Sequence, residues 1–180
     1  GNFAPPAGFV RCGIRFRSTA FNGPSGICLD ENYLRPLGLT RDDVWLCDLL
    51  PESRKNKSQE KALFKTYDKE VDISYNFPPV PKCIADEHRI KEIISELEKS
   101  GAKRIILLGD EPIKYFLYRF KPKIGKLSSI EPYGKEVEFC INGMPYNALC
   151  LAHPRQTARL GKSNQLWYER HKNWINNIKN

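Results

Sequence analysis

The sequence lacks a long apolar run and a secretory leader pattern. No apolar stretch approaches the roughly 20 residues that a membrane-spanning helix needs, and the first residues show no basic segment followed by an apolar one. Internal repeats and low-complexity tracts are absent as well. These absences argue against secretion and against a membrane partner, and they favour a cytoplasmic protein, or a nuclear one in a eukaryote.

The cysteines lack the spacing of a metal site, because no C-x-x-C pair occurs in the sequence. Several lie inside apolar runs, as Cys47, Cys140 and Cys150 do, where a free cysteine behaves as a small buried hydrophobe. We therefore expect reduced thiols, no metal and no cofactor.

The length and the net charge of the chain indicate its domain organisation and its class of partner. A chain of 180 residues with 41% hydrophobic and 28% charged residues is typical of one globular domain, and we predict a single monomeric domain over residues 1–180. Lys and Arg outnumber Asp and Glu by 29 to 21, which gives a net charge of +8. Because excess positive charge speeds encounter with phosphate backbones, the composition favours a polyanionic partner such as nucleic acid.

Hydrophobic patterning predicts an α/β domain. An apolar run followed by Gly109 and then by Asp110, a good helix-capping residue, is typical of a strand that leads into a helix. Asn142-Gly143 predicts a tight hairpin turn. The predicted strands are residues 43–50, 104–109, 137–141 and 146–151. The predicted helices are residues 25–37, 86–100, a helix capped by Asp110, and 165–178, the last packing on the sheet through Leu166, Trp167, His171, Trp174 and Ile178.

The last predicted strand ends in a histidine, a proline and a basic loop. Pro154 fixes its own φ and biases His153 away from helical geometry, so the imidazole is held where the strand stops. Arg155 and Arg159 follow at once, next to any anion bound there. The alternative is that His153 merely caps a strand and that the arginines form a solvated loop.

The motifs resemble, in their order, those of the uracil-DNA glycosylase superfamily. They are a Gly/Pro-rich loop at residues 1–16, Phe21-Asn22-Gly23-Pro24-Ser25-Gly26 opening a helix, strands at residues 44–49 and 105–109, and His153-Pro154. The resemblance runs from about residue 8 to residue 174. It implies a three-layer αβα fold with a central, mostly parallel, four-stranded sheet. It also implies hydrolysis of the N-glycosidic bond of a flipped, damaged or deaminated base in DNA, the first step of base-excision repair.

The resemblance assigns roles to individual residues. His153 would be catalytic, donating a hydrogen bond to the base oxygen on which negative charge grows. Phe21 would stack on the flipped base. The water-directing position falls at Asn2 or Phe3, and an asparagine orients water but cannot take its proton as a carboxylate does. Because the family has a strand before this motif, we expect the chain to be a trimmed portion of a longer one.

Asp48 stands where the family has an asparagine that reads the base edge. An ionised carboxylate only accepts hydrogen bonds, so it would repel uracil O4 and prefer a base that presents N–H donors, such as a cytosine-like or purine base. We therefore expect that uracil is not the best substrate unless Asp48 is protonated. DNA contacts are expected from the loop after His153, with Arg155 and Arg159 on phosphates and Leu160 as a wedge in the groove. Lys55 and Lys57 are further candidates for contacts to the DNA backbone, and the alternative is that they belong to a solvated charge cluster.

Two other functions stay open at this point. Because the first motif holds no carboxylate, the chain is alternatively a non-catalytic nucleic-acid or nucleotide-binding protein that kept the pocket and lost the chemistry. A hydrolase of small nucleosides or nucleotides is the third reading, and for it the basic surplus would be incidental.

Overall fold

The computed structural model describes residues 24–51, 79–122, 124–131, 133–158 and 165–178. Within them it combines short helices with one small sheet, in agreement with the predicted α/β class. The strands are β1 (Arg104–Leu108), β2 (Glu136–Ile141) and β3 (Met144–Leu151). The α-helices are α1 (Pro24–Leu29), α2 (Glu87–Ser100), α3 (Asp110–Tyr115), α4 (Pro154–Thr157) and α5 (Gln165–Ile178).

The sheet has the order β1-β3-β2, with β3 in the centre. β1 runs parallel to β3, with Leu108 opposite Leu151, whereas β2 runs antiparallel to it. The described residues thus form a three-stranded mixed sheet, where four mostly parallel strands were expected. The antiparallel pair follows from its connection, because Asn142 and Gly143, at φ 50° and 78°, form the two-residue turn that only antiparallel neighbours allow.

The prediction of a strand at residues 43–50 is wrong. The segment is described but pairs with no strand in the described part of the sheet, and Leu46, Cys47 and Asp48 are exposed. Side chains of α2 hold it instead. Trp45 Nε1 donates to Glu96 Oε2 at 2.9 Å, and Arg89 Nη2 donates to the Asp48 carbonyl at 2.7 Å. Apolar density alone therefore did not make a strand here.

The first predicted helix is present but changes its geometry along its length. α1 passes into a π-helical turn at Asp30–Leu34 and then into a 3-10 turn at Arg35–Leu37. The segment ends, as predicted, at Gly38 in the left-handed conformation, with φ 71°.

The other helices agree with the sequence except in details. α2 is capped by Asp86, whose Oδ1 accepts from Arg89 N at 2.8 Å. The cap predicted at Asp110 is wrong, since Gly109 is the N-cap of α3 and Asp110 Oδ1 accepts instead from Leu127 N at 2.9 Å.

Several residues that the sequence predicts in the core are exposed in the structure. Leu166 is 52% exposed and Ile178 is 37% exposed, so these two residues of α5 do not pack on the sheet as predicted. Cys47 and Cys140 are exposed, whereas Cys150 is buried as predicted. Cys140 lies on β2, whose residues alternate between the two sides of the sheet, so a solvent-facing position is open to it.

The core is centred on the end of β3. Ala148 to Ala152 are each at most 1% exposed, as expected for the central strand of a covered sheet. α5 contributes the buried Trp167, His171 and Trp174, and the His171 ring stacks on Tyr33 at 4.1 Å between centroids. The described part of the chain contains no helix long and apolar enough to cross a membrane.

Gly134 provides a test of how tightly α5 is packed. It has φ +78°, and a Cβ added there would overlap the Trp174 indole. We expect Gly134→Ala to lower the free energy of unfolding by about 3 kcal/mol, through backbone strain and displacement of the indole. Gly143→Ala is the matched control, because Gly143 also has φ +78° but no atom within 4 Å. It should cost about 1 kcal/mol. Urea denaturation measures both, and equal losses would contradict the packing described here.

His171 makes stability depend on pH. Burial lowers its pKa from 6.5 to about 4, and its described neighbours, Tyr33, Tyr133, Trp174 and the Asn32 carbonyl, carry no charge that would stabilise an imidazolium. The unfolded chain binds a proton near pH 6.5 and the folded one only near pH 4, so stability falls as the pH drops through this window. We expect a loss of about 2 kcal/mol between pH 7 and pH 5.

The measurement compares urea denaturation at the two pH values in His153→Gln and in the double variant His153→Gln/His171→Phe. The shared background removes the other histidine whose pKa is lowered. The double variant should be less stable at pH 7 and should lose little more at pH 5. An unchanged pH dependence in the double variant would show that His171 is not its source.

Candidate functional site

His153 lies two residues after the end of the central strand, where the sequence predicts it. β3 ends at Leu151, and His153 is the N-cap of α4 with extended backbone angles, φ −65° and ψ 139°. Its backbone N–H donates to Gln156 Oε1 at 3.1 Å, and its Nδ1 accepts from Arg155 N at 3.1 Å. His153 therefore caps a helix, not a strand as the alternative had it, and the cap also fixes the ring.

The capping contact determines the tautomer of His153. A backbone N–H only donates, so Nδ1 must be the acceptor and the proton of the neutral imidazole lies on Nε2. Burial of the ring and the neighbouring Arg155 lower the pKa of His153, and Asp48 opposes this. The imidazole is therefore neutral at neutral pH. Within the described residues no hydrogen bond engages Nε2–H, which leaves this donor available to a ligand.

Gly109 lets β1 approach this histidine. Its N–H donates to Leu151 O at 2.7 Å, extending the parallel pairing by one residue. A Cβ added at Gly109 would stand 3.3 Å from the His153 Cβ, and the residue has φ +99°. The carboxyl ends of two parallel strands thus meet beside His153, which is where α/β sheets place their ligands.

Arg89 fixes the segment that carries Asp48. Its Nε and Nη2 donate to the Asp48 carbonyl at 3.2 and 2.7 Å, and Nη2 also lies 3.1 Å from Cys47 Sγ. On the other side Nη1 pairs with Glu92 and Glu96 at 3.0 and 3.2 Å. Sequence reasoning missed Arg89, since an arginine followed by glutamates on the same helix is the ordinary pattern of a solvated face.

Asp48 and His153 influence each other's charge. Both residues are exposed at the surface, yet the protein on their inner side desolvates them. This desolvation raises the pKa of Asp48, which Arg89 and His153 oppose, and it lowers the pKa of His153. The structure thus brings Asp48 and His153, two of the predicted site residues, within electrostatic range of each other. We call Asp48, Arg89, Gly109, His153 and Arg155 the Asp48–His153 site.

Of the predicted DNA-contacting residues, Arg155 is described and lies exposed in the first turn of α4. The remaining predicted site residues fall outside the described residues: Asn2, Phe21, Lys55, Lys57, Arg159 and Leu160. Across the described ranges no group of three or more His, Cys, Asp or Glu side chains is arranged to hold a metal ion. The Asp48–His153 site therefore offers one neutral donor, one carboxyl group and two arginines as its chemistry.

Comparison with known proteins adds no assignment, because no family model matches the chain and no curated protein matches it.

Proposed function

We propose that the chain is a DNA-base glycosylase, a divergent relative of the uracil-DNA glycosylase superfamily that hydrolyses the N-glycosidic bond of a flipped, damaged or deaminated base. The observation that carries the proposal is that the Asp48 carboxyl group lies within electrostatic range of the neutral, Nε2-protonated imidazole of His153, which stands at the carboxyl end of the sheet. The proposal extends to the three-layer fold of that superfamily, whose sheet has one more parallel strand than the described residues provide.

His153 would stabilise the leaving base. As the bond between the sugar and the base breaks, negative charge moves onto the base and its carbonyl oxygen. A neutral imidazole with its proton on Nε2 donates to that oxygen without prior proton transfer. The hydrogen bond from Arg155 N to Nδ1 holds the ring in this orientation, so the donor needs no reorganisation when charge develops.

Asp48 would select the base. When ionised it accepts hydrogen bonds from amino or ring N–H groups, and when protonated it presents one donor and one acceptor, as uracil requires. Its raised pKa brings the protonated form closer to neutral pH. Activity on uracil should therefore increase as the pH falls, whereas activity on a base that presents only donors at this edge should decrease.

The charge of the molecule supports a nucleic acid as the partner. The chain carries a net charge of +8, and Arg155 lies exposed beside His153. An arginine in this position would contact a phosphate next to the flipped nucleotide and would hold the sugar in register with the site.

The activity is tested with oligonucleotides that bear uracil, hypoxanthine, xanthine or mismatched cytosine, followed by alkaline cleavage of abasic sites. We expect cleavage with at least one base and a loss of about 10²- to 10³-fold in His153→Gln, because the variant lacks the imidazole donor. DNA affinity should be unchanged. His88→Gln is the matched control, since His88 lies exposed on α2, and it should retain full activity.

Two outcomes would reject the glycosylase. Salt-sensitive DNA binding without cleavage of any base would identify a non-catalytic binder. Hydrolysis of free nucleotides without DNA binding would identify a small-molecule hydrolase.

The role of Asp48 is tested by Asp48→Asn. An amide donates and accepts, so we expect the activity on uracil relative to the best substrate to rise about tenfold or more, which corresponds to removing one mismatched buried polar contact. Asp43→Asn is the control, because Asp43 is exposed and bonds only to Thr40 among the described residues. If Asp48→Asn leaves the ratio unchanged, Asp48 does not read the base edge.

A further inference from the structure

Both backbone groups of Ala152, the residue before His153, are held by buried tyrosine hydroxyls. Ala152 N donates to the Tyr133 hydroxyl at 2.7 Å, and the Tyr33 hydroxyl donates to Ala152 O at 2.8 Å. Ala152 O belongs to the peptide unit whose N–H is that of His153, and this N–H donates to Gln156 Oε1. The peptide that carries His153 is therefore fixed from both sides.

Hydrogen bonds connect the Tyr133 hydroxyl to His171 and His171 to the π-helical turn. Since Tyr133 O accepts from Ala152 N, its own proton goes to His171 Nδ1 at 3.0 Å. His171 Nε2 lies 2.9 Å from the Asn32 carbonyl, which only accepts, so Nε2 carries the imidazole proton. The two assignments agree, because neutral His171 then has an acceptor at Nδ1 and a donor at Nε2.

A second series of hydrogen bonds connects the Tyr33 hydroxyl to the same turn. Since Tyr33 gives its proton to Ala152 O, Thr157 Oγ1 donates to the Tyr33 oxygen at 2.7 Å rather than to the more distant Pro154 O at 3.4 Å. Cys28 Sγ lies 3.4 Å from Thr157 Oγ1 and donates to it, and Asn32 Nδ2 donates to Cys28 Sγ at 3.4 Å. Burial raises the pKa of both Tyr33 and Tyr133, so both hydroxyls stay protonated.

These hydrogen bonds form a closed ring. From Ala152 N–H to Ala152 C=O each donor points to the next acceptor, and the two series meet at Asn32, whose main-chain carbonyl accepts from His171 and whose side-chain amide donates to Cys28. We call this set the Ala152 ring; its members are Ala152, Tyr133, His171, Asn32, Cys28, Thr157 and Tyr33. A consistent direction means that each donor has an acceptor and that no member is free to turn alone.

We propose that the Ala152 ring is a positioning device for His153, in which Tyr33, Tyr133 and Thr157 are positioning residues that fix the direction of the imidazole at the end of the sheet. The inference rests on the proposed function, because it assigns these residues to the step in which His153 donates to the base. None of the three is placed to touch the substrate, since all are buried. Their effect passes through the peptide between Ala152 and His153.

Thr157 gives the sharpest test, because Val keeps the shape of threonine and removes the hydroxyl, whereas Ser keeps the hydroxyl. A displacement of about 1 Å in a catalytic group costs about 10²-fold in rate. We expect Thr157→Val to lower kcat by about tenfold to a hundredfold with KM and DNA affinity unchanged, and Thr157→Ser to restore most of the rate. Equal kcat in Thr157→Val and the wild type would overturn the proposal.

A second readout does not need activity. With ¹⁵N-labelled histidine, NMR shows whether the His153 proton lies on Nε2 alone or is shared between both nitrogens. We expect a pure Nε2–H tautomer in the wild type and in Thr157→Ser, and a mixture in Thr157→Val and in Tyr33→Phe, which removes the other end of the same hydrogen bond. If Thr157→Val does not fold, Tyr33→Phe carries the same expectation.

Tyr146→Phe is the matched control. Tyr146 lies on β3 and is 3% exposed, but among the described residues its hydroxyl has no hydrogen-bond partner, so its loss should leave both readouts unchanged. An unaltered His153 tautomer in Thr157→Val and Tyr33→Phe would overturn the inference, even if the rate fell. Altered tautomers in a protein that cleaves no base would support positioning and would reject the glycosylase instead.

Discussion

The hydrogen bonds that two buried tyrosines make to Ala152 tie together the parts of the molecule that surround His153. Tyr33 comes from the π-helical turn, Tyr133 from the loop before β2, and both converge on Ala152, the residue directly after β3. An unpaired buried polar group costs about 1–3 kcal/mol, so moving any one of these segments away leaves several groups unsatisfied at once. The geometry of the site is therefore a property of the core beneath it.

The surface site and the core beneath it use histidine in the same protonation state for different purposes. His171 is neutral because it is surrounded by aromatic rings and a carbonyl, and there it transmits a hydrogen bond. His153 is neutral beside Arg155 and at the surface, where its Nε2–H faces no described partner. Asp48, whose pKa is shifted the opposite way, completes a pair of groups whose pKa values are both displaced toward the uncharged form, which suits hydrogen bonding to a base.

Local patterns predicted the parts of the fold that depend on local interactions. The hairpin turn at Asn142-Gly143, the helices α2 and α5 and the placement of His153 by Pro154 follow from residues adjacent in sequence. Residues 43–50 did not form the predicted strand, because apolar density carries no information about whether a partner strand lies alongside. The Arg89 contact to Asp48 and the Ala152 ring depend on side chains from distant segments, so no spacing in the sequence indicates them.

The tight turn at Asn142-Gly143 has a consequence for the order in which the molecule assembles. β2 and β3 are joined by two residues, so closing their pairing costs little chain entropy, and a hairpin of this kind forms in about 1–10 μs. The parallel pairing of β1 with β3 requires closure of a much longer loop and so comes later. We therefore expect the β2–β3 hairpin to form first and β1 to pair with β3 afterwards. The Asp48–His153 site at the end of β3 is then complete only after these long-range contacts have formed.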